Sequence, residues 1–393
     1  MNNKTEPRVF LLILLYLMCY FMNLFRFPDL LMLVLGSIFC LVLLVKQKKV
    51  RIDFGGCLLA ITMFSYCIVV FGIRAVAIMM PYIPLVMYIL AHYLACEIQK
   101  KENSDMQFTY VLYSLVFGHA IYGILNSGMY LAGTGVEGTR YWVDFWKQQM
   151  MPGTQLVVYF LSVFAVLFPA IIYFRKRKIV NGLIILVSMF LIYASLATRT
   201  RTTILSLGVV FCGQIVLYAI LERKKVMKGV TLKKTAIFLI CIAAVIAVLT
   251  FALKDLKIVR EFIENLSKDG GIFNNVRFVA QRKALTQLWH YPMGGGFHEL
   301  GIEMAHNLWL DMANSAGLIP FIAFTAYTFW TIYELIRFVF TNYIGTEVKL
   351  MVAGIYVAYF LYYTIEPALN ASIHFITPWI LINGLVHGYI SKK

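Results

Sequence analysis

Two short stretches hold residue types suited to chemistry on an anion. The first is Ala197-Thr198-Arg199-Thr200-Arg201-Thr202-Thr203, two arginines among threonines between apolar runs. A guanidinium stays charged and binds oxyanions through a planar fork, so Arg199 and Arg201 suit a diphosphate, with hydroxyl donors beside them. The same pair also fits arginines that snorkel from a helix end. The second stretch runs from Glu303 through His306, Asn307, Asp311 and Asn314 to Gly317. Asn307, Asp311 and Asn314 fall at i, i+4 and i+7, which makes one polar stripe on an apolar helix, with His306 at its start. A polar stripe at a membrane edge asks for water or a ligand. An imidazole with an unperturbed pKa of about 6.5 exchanges protons near neutral pH. Just upstream, Gly294-Gly295-Gly296 permits a tight turn and close backbone approach. By itself such a run is a weak signal for a phosphate cradle.

The elements that position these residues are membrane helices. Hydrophobic residues make up 61% of the 393-residue chain and charged residues 14%, where a soluble domain carries about 25% charge. That balance excludes a soluble enzyme, a disordered chain and a secreted disulfide scaffold. About twelve runs approach the ~20 apolar residues needed to cross ~30 Å of hydrocarbon. They lie near 9–25, 28–45, 57–73, 75–95, 108–132, 153–174, 179–197, 202–221, 236–253, 317–338, 350–365 and 368–390. The first lacks a small-residue cleavage pattern and fits an uncleaved anchor. The sequence predicts an all-α polytopic membrane protein. Residues 1–253 hold helices one to nine, 254–316 form one large loop, and 317–393 hold helices ten to twelve.

The net charge is +16, and its distribution carries the information. Lys46–Arg51, the RKRK run 175–178, the basic segment 223–234 and Lys392-Lys393 all fall on the side of the termini. The positive-inside rule therefore puts both termini in the cytoplasm and the large loop outside. Nucleic acid is not needed to explain the excess. The seven cysteines lie in or beside apolar runs without any CxxC, as free thiols packed in helices do.

Inside the large loop, Val259, Phe262, Ile263 and Leu266 follow helical spacing over 255–267. Phe278, Val279, Leu285, Leu288 and Trp289 mark a second helix, ended by Pro292 and the glycine run. Both would lie on the membrane surface or pack on the bundle. A shorter break, 133–153, holds Tyr141, Trp142 and Trp146; aromatics there favour interfacial anchoring over sugar stacking. His290, His298 and His306 recur at a spacing of eight, which matches no metal-ligand motif, and no metal is expected. Glu366 and His374 fall near the ends of the last runs and could face the same cavity. His92, His119 and His387 read as packing or interface residues.

Taken in order, these residues resemble the bacterial O-antigen polymerase and O-antigen ligase family. Thr200-Arg201-Thr202 closes a mid-chain span as the family's arginine motif does. Arg277, fifteen residues before Pro292, precedes Met293 and the glycine run. His306-Asn307-Leu308-Trp309-Leu310 leads to Ala316-Gly317-Leu318. The resemblance covers roughly 195–340. Trp309 stands where Tyr or Phe is usual, Ala316 where an acid is common, and Gln281 where Trp is usual. The resemblance implies a GT-C-like fold and a metal-independent, inverting glycosyltransferase with no cofactor. Its donor would be a glycan on undecaprenyl diphosphate, used at the outer face of the bacterial cytoplasmic membrane. The product would be capsule, exopolysaccharide or O-antigen, and a flippase and a chain-length regulator would be partners alongside the lipid bilayer.

Breaking a C1–O–phosphate bond needs cations around the leaving diphosphate and a base for the acceptor hydroxyl. Arg201 and Arg277 take the first role, with Arg199 and Arg282 in reserve. His306 takes the second, or else binds phosphate. Asn307, Asp311, Asn314, Gly294 and Gly296 are the expected substrate-binding positions. The polymerase branch is favoured. Alternatives are ligase-type transfer to another acceptor and a lipid-linked sugar flippase. The flippase is disfavoured because the chain shows no internal repeat and its polar groups gather at one edge.

Overall fold

The computed structural model describes residues 5–24, 29–48, 53–72, 81–134, 141–146, 148–174, 178–197, 201–222, 276–296, 304–366 and 373–391. Thirteen α-helices are found among them. In chain order they are α1 (Thr5–Phe21), α2 (Asp29–Gln47), α3 (Phe54–Phe71), α4 (Tyr82–Ile98) and α5 (Ser104–Met129). Then come α6 (Gly153–Tyr173), α7 (Lys178–Ala197), α8 (Arg201–Leu221) and α9 (Val276–Gln287). The last four are α10 (Leu308–Ala316), α11 (Leu318–Val339), α12 (Thr346–Tyr363) and α13 (Thr377–Ile390). Every expected apolar run coincides with one of these helices except 236–253, which lies outside the described residues, as does the amphipathic segment 255–267.

Among the described residues, four stretches are long and apolar enough to cross a membrane: Phe54–Phe71, Ser104–Gly133, Gly153–Tyr173 and Leu318–Val339. Apolar helices of 10–17 described residues add to them in α1, α2, α4, α7 and α8. Large apolar side chains stand exposed on these helices, among them Leu11, Leu41, Leu186, Met189 and Phe329. A water-facing surface rarely carries so many exposed large apolar side chains, whereas lipid accepts them. The protein is therefore predominantly helical, with the apolar surface that an all-α membrane protein requires. All six described cysteines are free thiols.

The chain divides into two compact units. The first comprises 1–122, 276–342 and 359–393. Its tightest helix pair is α4 with α13, and the cause is a small-residue repeat. Gly384 and Gly388 lie one turn apart, and a Cβ on Gly388 would strike the carbonyl oxygen of His92. Small residues spaced in this way let two helix backbones approach closely where lipid gives no hydrophobic drive between helices. An aromatic cluster fills the space alongside. The Trp379 ring meets Tyr327 at 5.8 Å, Tyr363 at 5.8 Å and Phe324 at 6.0 Å, all edge-on, the geometry that aromatic quadrupoles favour. Two of its hydroxyls are tied down: Tyr363 donates to the Phe375 carbonyl at 2.7 Å, and Asn383 donates to Tyr327 at 3.2 Å.

The second unit comprises 123–275 and 343–358. In it α6 packs against both α7 and α8. The buried amide of Gln214 donates to the carbonyls of Ala165 at 2.5 Å and Leu350 at 2.9 Å, joining α8, α6 and α12. A β-hairpin, absent from the sequence expectation, pairs β1 (Tyr141–Val143) with antiparallel β2 (Met150–Pro152). Trp142 is buried in it, and its indole donates to the Pro152 carbonyl at 2.9 Å. That ring is part of the hairpin core and not an interfacial anchor.

Candidate active site

The site is assembled in the first unit around α10. Asn307 caps this helix: its side chain accepts from the Leu310 N–H at 3.1 Å, satisfying one of the donors that every helix N-terminus leaves open. His306 precedes the cap with φ of 55°, a left-handed conformation uncommon for a residue with a side chain. The Asp311 carboxylate holds the segment in place. It accepts from the Ala305 N–H at 2.6 Å and the Asn307 N–H at 3.1 Å. The carboxylate thus closes a loop around His306.

This changes the meaning of the polar stripe. Asp311 and Asn314 are each 2% exposed, and Asn314 donates back to the Leu310 carbonyl at 2.8 Å. Hydrogen-bonding groups that sequence spacing assigned to water or a ligand are met by the local backbone. Asn307 also reaches across to the Thr364 carbonyl at 3.3 Å.

The far end of α10 is clasped by the glycine run. The N–H groups of Gly295 and Gly296 both point to the Asn314 carbonyl, at 2.8 and 3.2 Å, and the Gly294 N–H bonds to the Tyr291 carbonyl at 3.0 Å. All three therefore serve the protein backbone and not a phosphate cradle. Gly317 breaks the helix with φ of 86°, and Leu318 N–H then bonds to the Pro292 carbonyl at 2.9 Å. Pro320 lies in the first turn of α11, where its missing N–H costs nothing.

Alongside runs α9. Its buried face is made by Ala280 and Ala284, followed by the buried Leu288 just past its end, with Ala284 packed against Ala305. The larger Phe278, Val279, Leu285 and Trp289 are exposed. Small residues bring this helix close to the His306 loop. Gln281 then donates to the His306 carbonyl at 3.2 Å and to the Thr364 carbonyl at 3.1 Å. One turn earlier, Arg277 forms an ion pair with Glu366 at 2.7 Å and bonds to the Ile365 carbonyl at 3.3 Å. Glu366 is 2% exposed.

The electrostatics follow from this packing. Burial lowers the His306 pKa to about 4, and the nearby Arg277 charge adds to the effect. The imidazole is thus neutral, and its Nδ1 is buried with no hydrogen-bond partner among the described residues. Burial pushes Asp311 up to about 7, against the lowering effect of its backbone N–H bonds, with the Glu366 charge raising it further. A positive guanidinium, a neutral imidazole and a buried carboxylate are therefore gathered at one place. The first can hold an anion, and the second can take or give a proton.

Neither a scan against protein-family models nor a search of curated proteins finds a match to this chain.

Of the sequence-derived positions, Arg277, His306, Asn307, Asp311, Asn314, Gly294 and Gly296 are brought together around α10. Arg282 is exposed on α9. Arg201 opens α8 in the second unit, and Arg199 lies outside the described residues. Gln281, noticed in the sequence only as a departure from a pattern, proves to be the strut between α9 and the His306 loop. The backbone of Thr364 and Ile365 was not anticipated, because a carbonyl acceptor leaves no mark in side-chain chemistry.

Proposed function

We propose that this protein is a polysaccharide polymerase of the bacterial cytoplasmic membrane. It moves a glycan chain from undecaprenyl diphosphate onto a lipid-linked repeat unit at the outer face. In this reading the chain crosses the membrane about twelve times, with both termini inside and the α9–α10 region outside, in a GT-C-like arrangement. The acceptor hydroxyl oxygen forms the new bond to C1, the C1–O bond to the diphosphate breaks, and the anomeric centre inverts. The acceptor proton passes to His306, and Arg277 stabilises the departing diphosphate.

The observation that carries the reading is the Gln281 bond from α9 to the His306 carbonyl, which sets Arg277 and His306 on neighbouring elements. Arg277 comes from the helix and His306 from a strained loop, and burial, with the Arg277 charge adding to it, depresses the His306 pKa. An arriving diphosphate offsets that positive charge. It thereby raises the basicity of His306 when donor is in place, so the base strengthens as the reaction requires it. Glu366 positions Arg277, and Gln281 positions the His306 loop.

The test is polymer formation in cells that depend on this protein. Arg277→Lys and His306→Ala abolish long-chain polymer while membrane levels of the protein stay unchanged. Normal chain-length ladders in both variants contradict the proposal. Uptake of a lipid-linked sugar into liposomes without any chain growth would instead indicate a flippase.

A further inference from the structure

A second cluster lies well away from this site. Along α11, Glu334 is roughly 24 Å from Leu318 at 1.5 Å per residue. Around it gather Asp53 at the N-cap of α3, His92 on α4 and His387 on α13. Ligand-capable atoms of Asp53, His92 and His387 all lie within 4.8 Å of one another. The Gly384/Gly388 contact creates this proximity: it brings the α13 backbone onto α4 at His92, so the His92 and His387 rings stack at 5.2 Å.

The neighbouring groups orient the cluster. His387 Nδ1 lies 3.2 Å from the Glu334 carboxylate, while its Nε2 faces the Asp53 carboxylate at 3.9 Å. An Nδ1–H donated to Glu334 leaves Nε2 with its lone pair directed at Asp53. A lone pair and a carboxylate facing each other repel, and a cation bound between them, or a second proton on the imidazole, relieves this. Carboxylate–histidine pairs of this kind fix the tautomer of metal-binding imidazoles. Asp53 is itself held by the Gly56 N–H at 2.7 Å and the Tyr88 hydroxyl at 2.8 Å. Glu334 is anchored on its other oxygen by Arg337 at 3.0 Å.

We propose that Asp53, His92 and His387 bind one divalent transition-metal ion of the zinc type, which ties α3, α4 and α13 together. Two imidazoles and one carboxylate, with water in the fourth place, form a donor set suited to Zn2+. Bonds of about 2.0–2.2 Å set the donors about 3.3 Å apart, so closure from the 4.8 Å limit asks for rotamer adjustments of up to about 1.5 Å. The metal is structural and separate from the Arg277 site.

The full-length protein, purified in detergent and stripped with a chelator, is dialysed against Zn2+ and the retained metal is counted by mass spectrometry. Wild type and His290→Ala, which is outside the cluster, retain about one equivalent. His387→Ala and Asp53→Asn retain none; Asn is as good an N-cap as Asp, so α3 keeps its start. Glu334→Gln binds about 10–100-fold more weakly. With Co2+, wild type shows the visible d–d bands of a tetrahedral site, and Asp53→Asn does not. Wild type that takes up no zinc overturns the proposal, as does Asp53→Asn or His387→Ala protein that keeps it.

Discussion

Arg277 Nη1 lies 2.7 Å from Glu366 Oε1, across 89 residues of chain. Glu366 is buried, while the Arg277 side chain is 30% exposed. A buried carboxylate needs a charged partner, and here that partner stands beside His306. One ion pair thus ties α9 to the segment after α12, beside His306.

The two tasks of Arg277 separate in a double variant. Arg277→Ala strands a buried charge and destabilises the protein by about 3 kcal/mol. Adding Glu366→Ala removes that charge and restores most of the melting temperature. Polymer stays absent in both. Polymer that returns with stability would mean that Arg277 only shields Glu366.

The glycine clasp is graded. Gly294 and Gly295 share positive φ values of 86° and 87°, but only Gly294 is crowded: an added Cβ would strike the Ser315 carbonyl oxygen. Gly295→Ala costs about 1–2 kcal/mol from its left-handed backbone alone. Gly294→Ala and Gly317→Ala cost clearly more, since backbone must move. Thermal melts in detergent check this order, and equal shifts at Gly294 and Gly295 would contradict the clasp.

Asp311 and His306 impose opposite pH dependences. The native pKa of Asp311, about 7, lies above an unfolded value of about 3.9. The native state therefore binds more protons in that window, and stability falls as pH rises through it. His306, at about 4 in the native state, lies below its unfolded value of about 6.5. There the unfolded state binds more protons, and stability grows as pH rises from about 4 to 6.5. Asp311→Asn removes the falling contribution, so its melting temperature climbs more steeply with pH than that of wild type. His306→Gln climbs less steeply. Parallel profiles for all three proteins would contradict these assignments.

The helices were legible in the sequence because a run of about 20 apolar residues leaves few alternatives in lipid. The segment from His306 to Gly317 was legible as chemistry, since its polar groups interrupt that pattern. What those groups bond to was not. Asn307, Asp311 and Asn314 share one helical face, yet they spend their hydrogen bonds on nearby backbone, which spacing cannot reveal. The Arg277–Glu366 pair and the Asp53, His92 and His387 cluster depend on helices that meet only in three dimensions. The Trp142 hairpin escaped notice because its strands are three residues each, too short for an alternating pattern.

The most direct test of the central claim is chain growth by purified protein supplied with a synthetic undecaprenyl-diphosphate-linked repeat unit, with no divalent ion added. Wild type should build a ladder of longer glycans and release free undecaprenyl diphosphate, while His306→Ala, folded to the same melting temperature, should do neither. A folded wild type that builds no ladder, or a His306→Ala variant that builds a normal one, would contradict the account.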